Sequence, residues 1–343
     1  MLAFARCPRT FCSFVLAGLV SFGSRSAWAS SCASPAGFDP CFDANALWLP
    51  GGAAKFVALP DTRLTSPMQW SFGIATELSR GLVQLRVPSP DATGREIRVV
   101  DYVSDATGLF AVGLIPDLEL SGAFAVRAYE NGSGVNGITT QSGSPLMTAA
   151  FRDPRLSLAY SFDNSIPVAD LGVRLGLDVS LPFGDDHAFA GEQSVAGGPS
   201  GTVSYRFARV SFSAGVGLRL RRALDFGGVR LGNQAFTALG VGFDAFEPGA
   251  LFFGLEANAL PALGASHTHT LNSPATSATL IPAEWLASVS SSLRSSHWSI
   301  RVAGGAGLPL SSETTPTQTT HFAGLTSPEF RFLLSARFTP SAR

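Results

Sequence analysis

Apolar and polar positions alternate along most of this chain. In LELSGAFAVRAYE (118–130), one set of every second residue is Leu118, Leu120, Gly122, Phe124, Val126 and Ala128. The other set is Glu119, Ser121, Ala123, Ala125, Arg127 and Tyr129. A period of two marks a β-strand with one apolar face and one small, polar or charged face. The pattern recurs. Leu171, Val173, Leu175 and Leu177 alternate with Gly172, Arg174, Gly176 and Asp178, and Val210, Phe212, Val216 and Leu218 with Ser211, Ser213, Gly217 and Arg219. Near the C-terminus Trp298, Ile300 and Val302 alternate with Ser299, Arg301 and Ala303, and Phe330, Phe332 and Leu334 with Arg331, Ser335 and Arg337. No long amphipathic helix is evident.

The links between these segments alternate in length. Short ones lie near 116–117, 163–168, 207–209, 246–248 and 295–297, and long polar ones near 130–153, 182–200, 222–233, 261–281 and 309–327. Transmembrane barrels have this asymmetry, with short periplasmic turns and longer external loops. LVQLRVP (82–88) reads as a strand, but as a full crossing it makes the total odd. Residues 79–101 are therefore assigned to the first external loop, as an extension of its strands. Twelve crossings remain: about 68–78, 102–115, 118–129, 154–163, 168–181, 201–207, 209–221, 234–245, 249–260, 283–294, 297–308 and 328–338. An even number brings both ends of the barrel to the periplasmic side. A sandwich could also alternate, but its turns would come at regular short intervals. A closed barrel in lipid satisfies every backbone group and leaves no edge. The expected fold is all-β, a transmembrane antiparallel β-barrel of about 12 strands, with Phe124 and Leu175 facing lipid near mid-bilayer.

Composition agrees. The chain is 45% hydrophobic and 14% charged, against roughly 25% charged residues in soluble domains. No mature segment supplies the roughly 20 apolar residues of a spanning helix. The net charge of −1 gives no reason to expect a nucleic-acid partner. Arg6 and Arg9, the apolar run FCSFVLAGLVSFG (11–23) and Ala27-Trp28-Ala29 form a secretory signal, so residues 1–29 are expected to be removed and Ser30 to begin the mature chain. Cleavage leaves Cys32 and Cys41, which are expected to pair as one small disulfide loop in an oxidising compartment. Residues 30–67, broken at Pro50-Gly51-Gly52 and Pro60-Asp61, read as a periplasmic extended segment, followed by the barrel over 68–338.

Five segments carry a resemblance: DANALWLPGGA (43–53), GREIRVVDYVSDAT (94–107), RDPRLSLAY (152–160), SLPFGDDHAFAGE (180–192) and SPEFRFLLSARF (327–338). Together they resemble the barrel domain of a family of Gram-negative outer-membrane proteins. Members often continue into calcium-binding acidic repeats and an OmpA-type peptidoglycan-binding domain. The resemblance spans nearly all of the mature chain and implies an outer-membrane barrel. This sequence ends about five residues after Phe338, so peptidoglycan tethering is not expected.

Candidate chemistry is sparse. Asp185, Asp186, Glu192 and His187 share one external loop, and His267 and His269 stand two apart. Neither set closes a metal shell, so no metal and no cofactor are expected. A phospholipase-like barrel would need a Ser–His pair at the lipid boundary. The nearest candidate, His297 with Ser299, shares the inward face with Arg301, and no enzymatic activity is expected. The inward sets hold Arg127, Arg174, Arg206, Arg219, Arg301, Arg331 and Arg337 against Glu77, Glu119, Asp178 and Glu256. These lumen-lining candidates fit either a wet channel or a plugged, salt-bridged interior. If the lumen is open, the arginine excess predicts anion preference, with Arg152 in an external loop mattering less. The register is critical, since a slip of one residue would move every such arginine into lipid. The expected function is porin-like passive transport or a structural role in the bacterial outer membrane. The alternatives are an outer-membrane phospholipase-like enzyme and a soluble secreted β-sandwich adhesin. Expected partners are outer-membrane lipid and the barrel-assembly machinery. The oligomeric state is not encoded legibly.

Overall fold

The alternating segments become twelve barrel strands in the computed structural model, which describes residues 37–87, 95–135, 146–162, 170–246, 250–264, 277–293, 297–314, 319–322 and 325–340. They are β1 (Trp70–Val87), β2 (Arg95–Ile115), β3 (Leu118–Asn131), β4 (Arg155–Ser161), β5 (Leu171–Ser180) and β6 (Ala196–Phe207). Then follow β7 (Val210–Arg219), β8 (Gln234–Asp244), β9 (Phe252–Ala259), β10 (Ala283–Leu293), β11 (Trp298–Gly307) and β12 (Phe330–Phe338). Each pairs antiparallel with its neighbour in sequence, and β1 pairs with β12 to close the ring, Phe72 opposite Phe338. Closure removes the sheet edges that a sandwich would keep.

Residues 79–101 extend the first hairpin as expected, with β1 running on to Val87 and β2 beginning at Arg95. The tight turns at one end place Asp117, Ala208 and His297 at φ of 64°, 53° and 55°. Positive φ lets a two-residue turn follow the twist of its strands. The long links gather at the other end. One carries a hairpin of Leu224–Phe226 and Val229–Leu231, and others form a small sheet from Ser277–Thr279, Ser311–Thr314 and Thr319–Phe322.

The two faces separate cleanly. Phe124 and Leu175 are 54% and 52% exposed on the outer wall, whereas Glu119 and Arg127 on the neighbouring inward positions are buried. An apolar outer wall around buried charges is the reverse of a soluble protein and suits a hydrocarbon solvent.

The N-terminal segment requires a correction. Residues 30–67 were expected on the periplasmic side, yet the described part, 37–67, lies inside the barrel. At the long-loop end Phe38 bridges to Phe226, and the Ala44 amide donates to the Phe189 carbonyl. At the short-turn end the Met68 amide donates to the Gly113 carbonyl, just before β1 begins. Between them Leu47, Phe56, Val57 and Leu59 are buried. Two needs are met together: these apolar side chains leave water, and inward charges of the wall gain partners. Cys41 is disulfide-bonded; Cys32 and the leader expected at 1–29 lie outside the described residues.

At the long-loop end the loops form an apolar cap. Phe42, Phe189 and Phe226 meet edge to face at 5.3 to 5.6 Å. Leu82, Val83, Val99 and Val100 from the extended first hairpin back them.

Candidate functional site: a lumen closed by the N-terminal segment

Three tiers of contacts hold the segment. The outer tier is ionic. Arg152 donates to Asp43 at 2.7 Å and to Asp105 at 3.0 Å, and Arg127 donates to Asp105 at 3.1 Å and Glu130 at 3.2 Å. Arg127 also reaches the Ala188 and Phe189 carbonyls, tying the cap to the wall. Asn45 of the segment donates to Glu77 and Asp105, and its side-chain Oδ1 accepts from Arg331. Arg331 in turn pairs with Glu77 and with Glu284. Arg152 is therefore not a peripheral loop residue: it is buried and bound to the segment. Burial works against its charge, but Asp43 and Asp105 beside it raise its pKa above the ordinary value. Next to it, burial pushes the Asp153 carboxyl up to about 7, against the pull of amide donors from Glu192 and Gly184.

The middle tier is a close fit of backbone. Trp48 lies between two guanidinium groups, Arg219 at 4.0 Å and Arg155 at 5.5 Å from its ring centre. Arg219 and Arg155 also donate to the Ala46 and Leu47 carbonyls. A Cβ placed on Gly51 would meet the Gly122 amide nitrogen of β3 at 2.5 Å and the Phe110 carbonyl oxygen of β2 at 2.8 Å. Only glycine permits that approach. Glu119 accepts from the Thr65 amide at 2.8 Å. Arg174 donates to Ser157, and Asp178 accepts from Ser200.

The inner tier holds the segment by its carbonyls. Arg301 donates to the Ala54, Lys55 and Phe56 oxygens at 2.5, 2.9 and 2.7 Å, and Arg337 to the Pro50 oxygen at 2.9 Å. Glu256 accepts from the Val57 and Ala58 amides. Arg206 pairs with Asp244 at 2.7 Å beside a cavity of about 270 Å³ at the short-turn end.

The predicted inward residues differ in what they touch. Arg127, Arg331 and Glu77 join the outer network; Arg219, Glu119, Arg301, Arg337 and Glu256 hold the backbone of the segment; Arg174, Asp178 and Arg206 bond within the wall. Sequence reasoning missed Asp105, Glu284 and Asp244, which strand parity could have found. It also missed Arg155, another strand position open to parity, and Arg152, Asp43, Asn45 and Lys55, for which parity offers no signal. Among the described residues, no carboxylate lies within 4 Å of Arg155, Arg174, Arg219, Arg301 or Arg337.

The other candidates have structural surroundings. Asp185 accepts from the Phe151 amide at 2.8 Å, and Glu192 lies 3.5 Å from Arg221. No set of three metal-ligating side chains occurs among the described residues. His267 and His269 lie outside them. His297 is an exposed turn residue packed on Phe338, while the Ser299 hydroxyl points to the Arg337 carbonyl.

A closed twelve-stranded ring with an apolar outer wall and a charged interior decides the class. The fold is that of an outer-membrane β-barrel. No protein-family model matches the sequence, and no curated protein does. Among solved structures the chain is similar to an outer-membrane channel from Pseudomonas putida, with a TM-score of 0.50 at 12% identity, covering 79% of this chain and 96% of that one. It is also similar to the NanC porin, with a TM-score of 0.46 at 8% identity over 78% and 100% of the two chains. A FadL homologue of Pseudomonas aeruginosa gives 0.37 at 13% identity over 85% and 84%. The likeness is one of fold.

Proposed function

We propose that this outer-membrane barrel is a porin-like channel whose N-terminal segment closes the lumen, and that it passes small anions when the segment moves aside. One observation carries the reading. Five buried or half-buried arginines, at 155, 174, 219, 301 and 337, have no carboxylate within 4 Å among the described residues, and four of them are held by carbonyls of the segment. Withdrawing the segment would leave those guanidinium groups facing water, as the charged rings of anion pores do. The Pseudomonas putida barrel of similar fold is an outer-membrane channel, which supports the same class. An enzymatic role has less support, because His297 and Ser299 do not face each other across a reaction site. Insertion by the barrel-assembly machinery belongs to this reading.

Planar-bilayer recording tests it. The wild-type protein should conduct little, and Gly51→Ala, which collides with β2 and β3 backbone, should raise the conductance several-fold. Reversal potentials across a salt gradient should show anion preference. Cation preference, or a Gly51→Ala protein as silent as wild type, would overturn the proposal.

A further inference from the structure

The cavity at the short-turn end is lined by five cationic side chains and one carboxylate, and Asp61 and Glu256 act on Lys55 and Arg301 from beyond the lining. Lys55 and Arg63 come from the N-terminal segment; Arg206, Arg301, Arg337 and Asp244 come from the wall. Asp244 already pairs with Arg206. Arg301 and Arg337 direct their described hydrogen bonds to backbone carbonyls, and Lys55 reaches the Ser211 hydroxyl at 3.3 Å. Three buried guanidinium nitrogens of this lining have no hydrogen-bond partner among the described residues: Arg206 Nε, Arg301 Nε and Arg337 Nη1. Four serines complete the lining.

Such a cluster is costly when empty of counter-charge. Like charges repel more strongly away from bulk water, and a buried donor left unpaired costs its desolvation. A compact anion with several acceptor oxygens answers both. Forked guanidinium donors match a tetrahedral oxyanion better than they match a halide. We propose that this cavity binds a small, multiply charged oxyanion of the phosphate type, and that the bound anion fastens the N-terminal segment to the wall. The fastening follows from linkage. Lys55 and Arg63 belong to the segment, so the site is complete only while the segment is seated. An anion that prefers the complete site stabilises the closed state. The inference deepens the channel reading and rests on it for the word closed, but the binding itself does not depend on conduction.

Calorimetric titration of the full mature protein in detergent with inorganic phosphate, at constant ionic strength, provides the test. Phosphate should bind one to one and raise the unfolding temperature, and sulfate should compete. Lys55→Met should weaken binding about tenfold, the loss of one charged contact. Arg63→Ser, at an exposed position, should weaken it in a chain whose fold is undisturbed. Absence of phosphate binding, or binding unchanged in both variants, would overturn the proposal. Binding without any conduction in Gly51→Ala would count against the channel reading alone. Conduction without phosphate binding would count against the oxyanion site alone.

Discussion

Arg331 shows what a single side chain does in this interior. Its guanidinium touches Glu77 of β1, Glu284 of β10 and Asn45 of the threaded segment. All are buried, so each charge depends on the others for the solvation that water would give. Replacing Arg331 with Met leaves Glu77 and Glu284 buried without the cation that both of them touch. The expected cost is about 3–5 kcal/mol, read from denaturant unfolding of the protein refolded in liposomes. A loss below about 1 kcal/mol, the range of solvent-screened pairs, would mean that water reaches this network. The inward position of Arg331 was legible from alternation alone. Its partners were not, because Asn45 lies 286 residues away in the chain and belongs to no strand.

At the scale of elements, the twelve strands were readable because their signal is local. Period-two alternation needs only neighbouring residues, and the contrast of short and long links orients the whole set. The wall therefore offers a direct check. Phe124→Arg in β3 and Leu175→Arg in β5 should each cost about 2–4 kcal/mol on refolding into liposomes, the penalty for a charge at the bilayer midplane. Neutral outcomes at both would contradict the lipid-facing assignment. The N-terminal segment was misplaced for the opposite reason. It has no period, since walls grip it through its carbonyls and amides, as Arg301 grips Ala54, Lys55 and Phe56. Pro50-Gly51-Gly52 reads as a chain breaker in sequence, but Gly51 is where two backbones pass at contact distance. Asp43, Asn45, Asp105, Arg152 and Arg331 come from four separate stretches of the chain, and nothing in any one of them states who pairs with whom.

At the scale of the whole molecule, the described residues run between the two ends of the barrel thirteen times: twelve as strands and once through the interior. Both ends of the barrel wall lie at the short-turn side, yet Gly37 and Phe38 lie among the long loops, where the Gly227 amide donates to the Gly37 carbonyl. An epitope inserted just before Gly37 should therefore be bound by antibody on intact cells. Labelling that requires permeabilised cells would show that the segment does not pass through the barrel.

Because β12 seals against β1, this path makes the molecule a cord drawn through its own ring. The seam at Phe72 and Phe338 prevents the cord from slipping out sideways. Its inner end is stitched to the rim at Met68 and Gly113, so it has little slack to rise outward. A pull applied from the periplasm would draw it downward, outer end last, until the disulfide at Cys41 reached the ring like a knot.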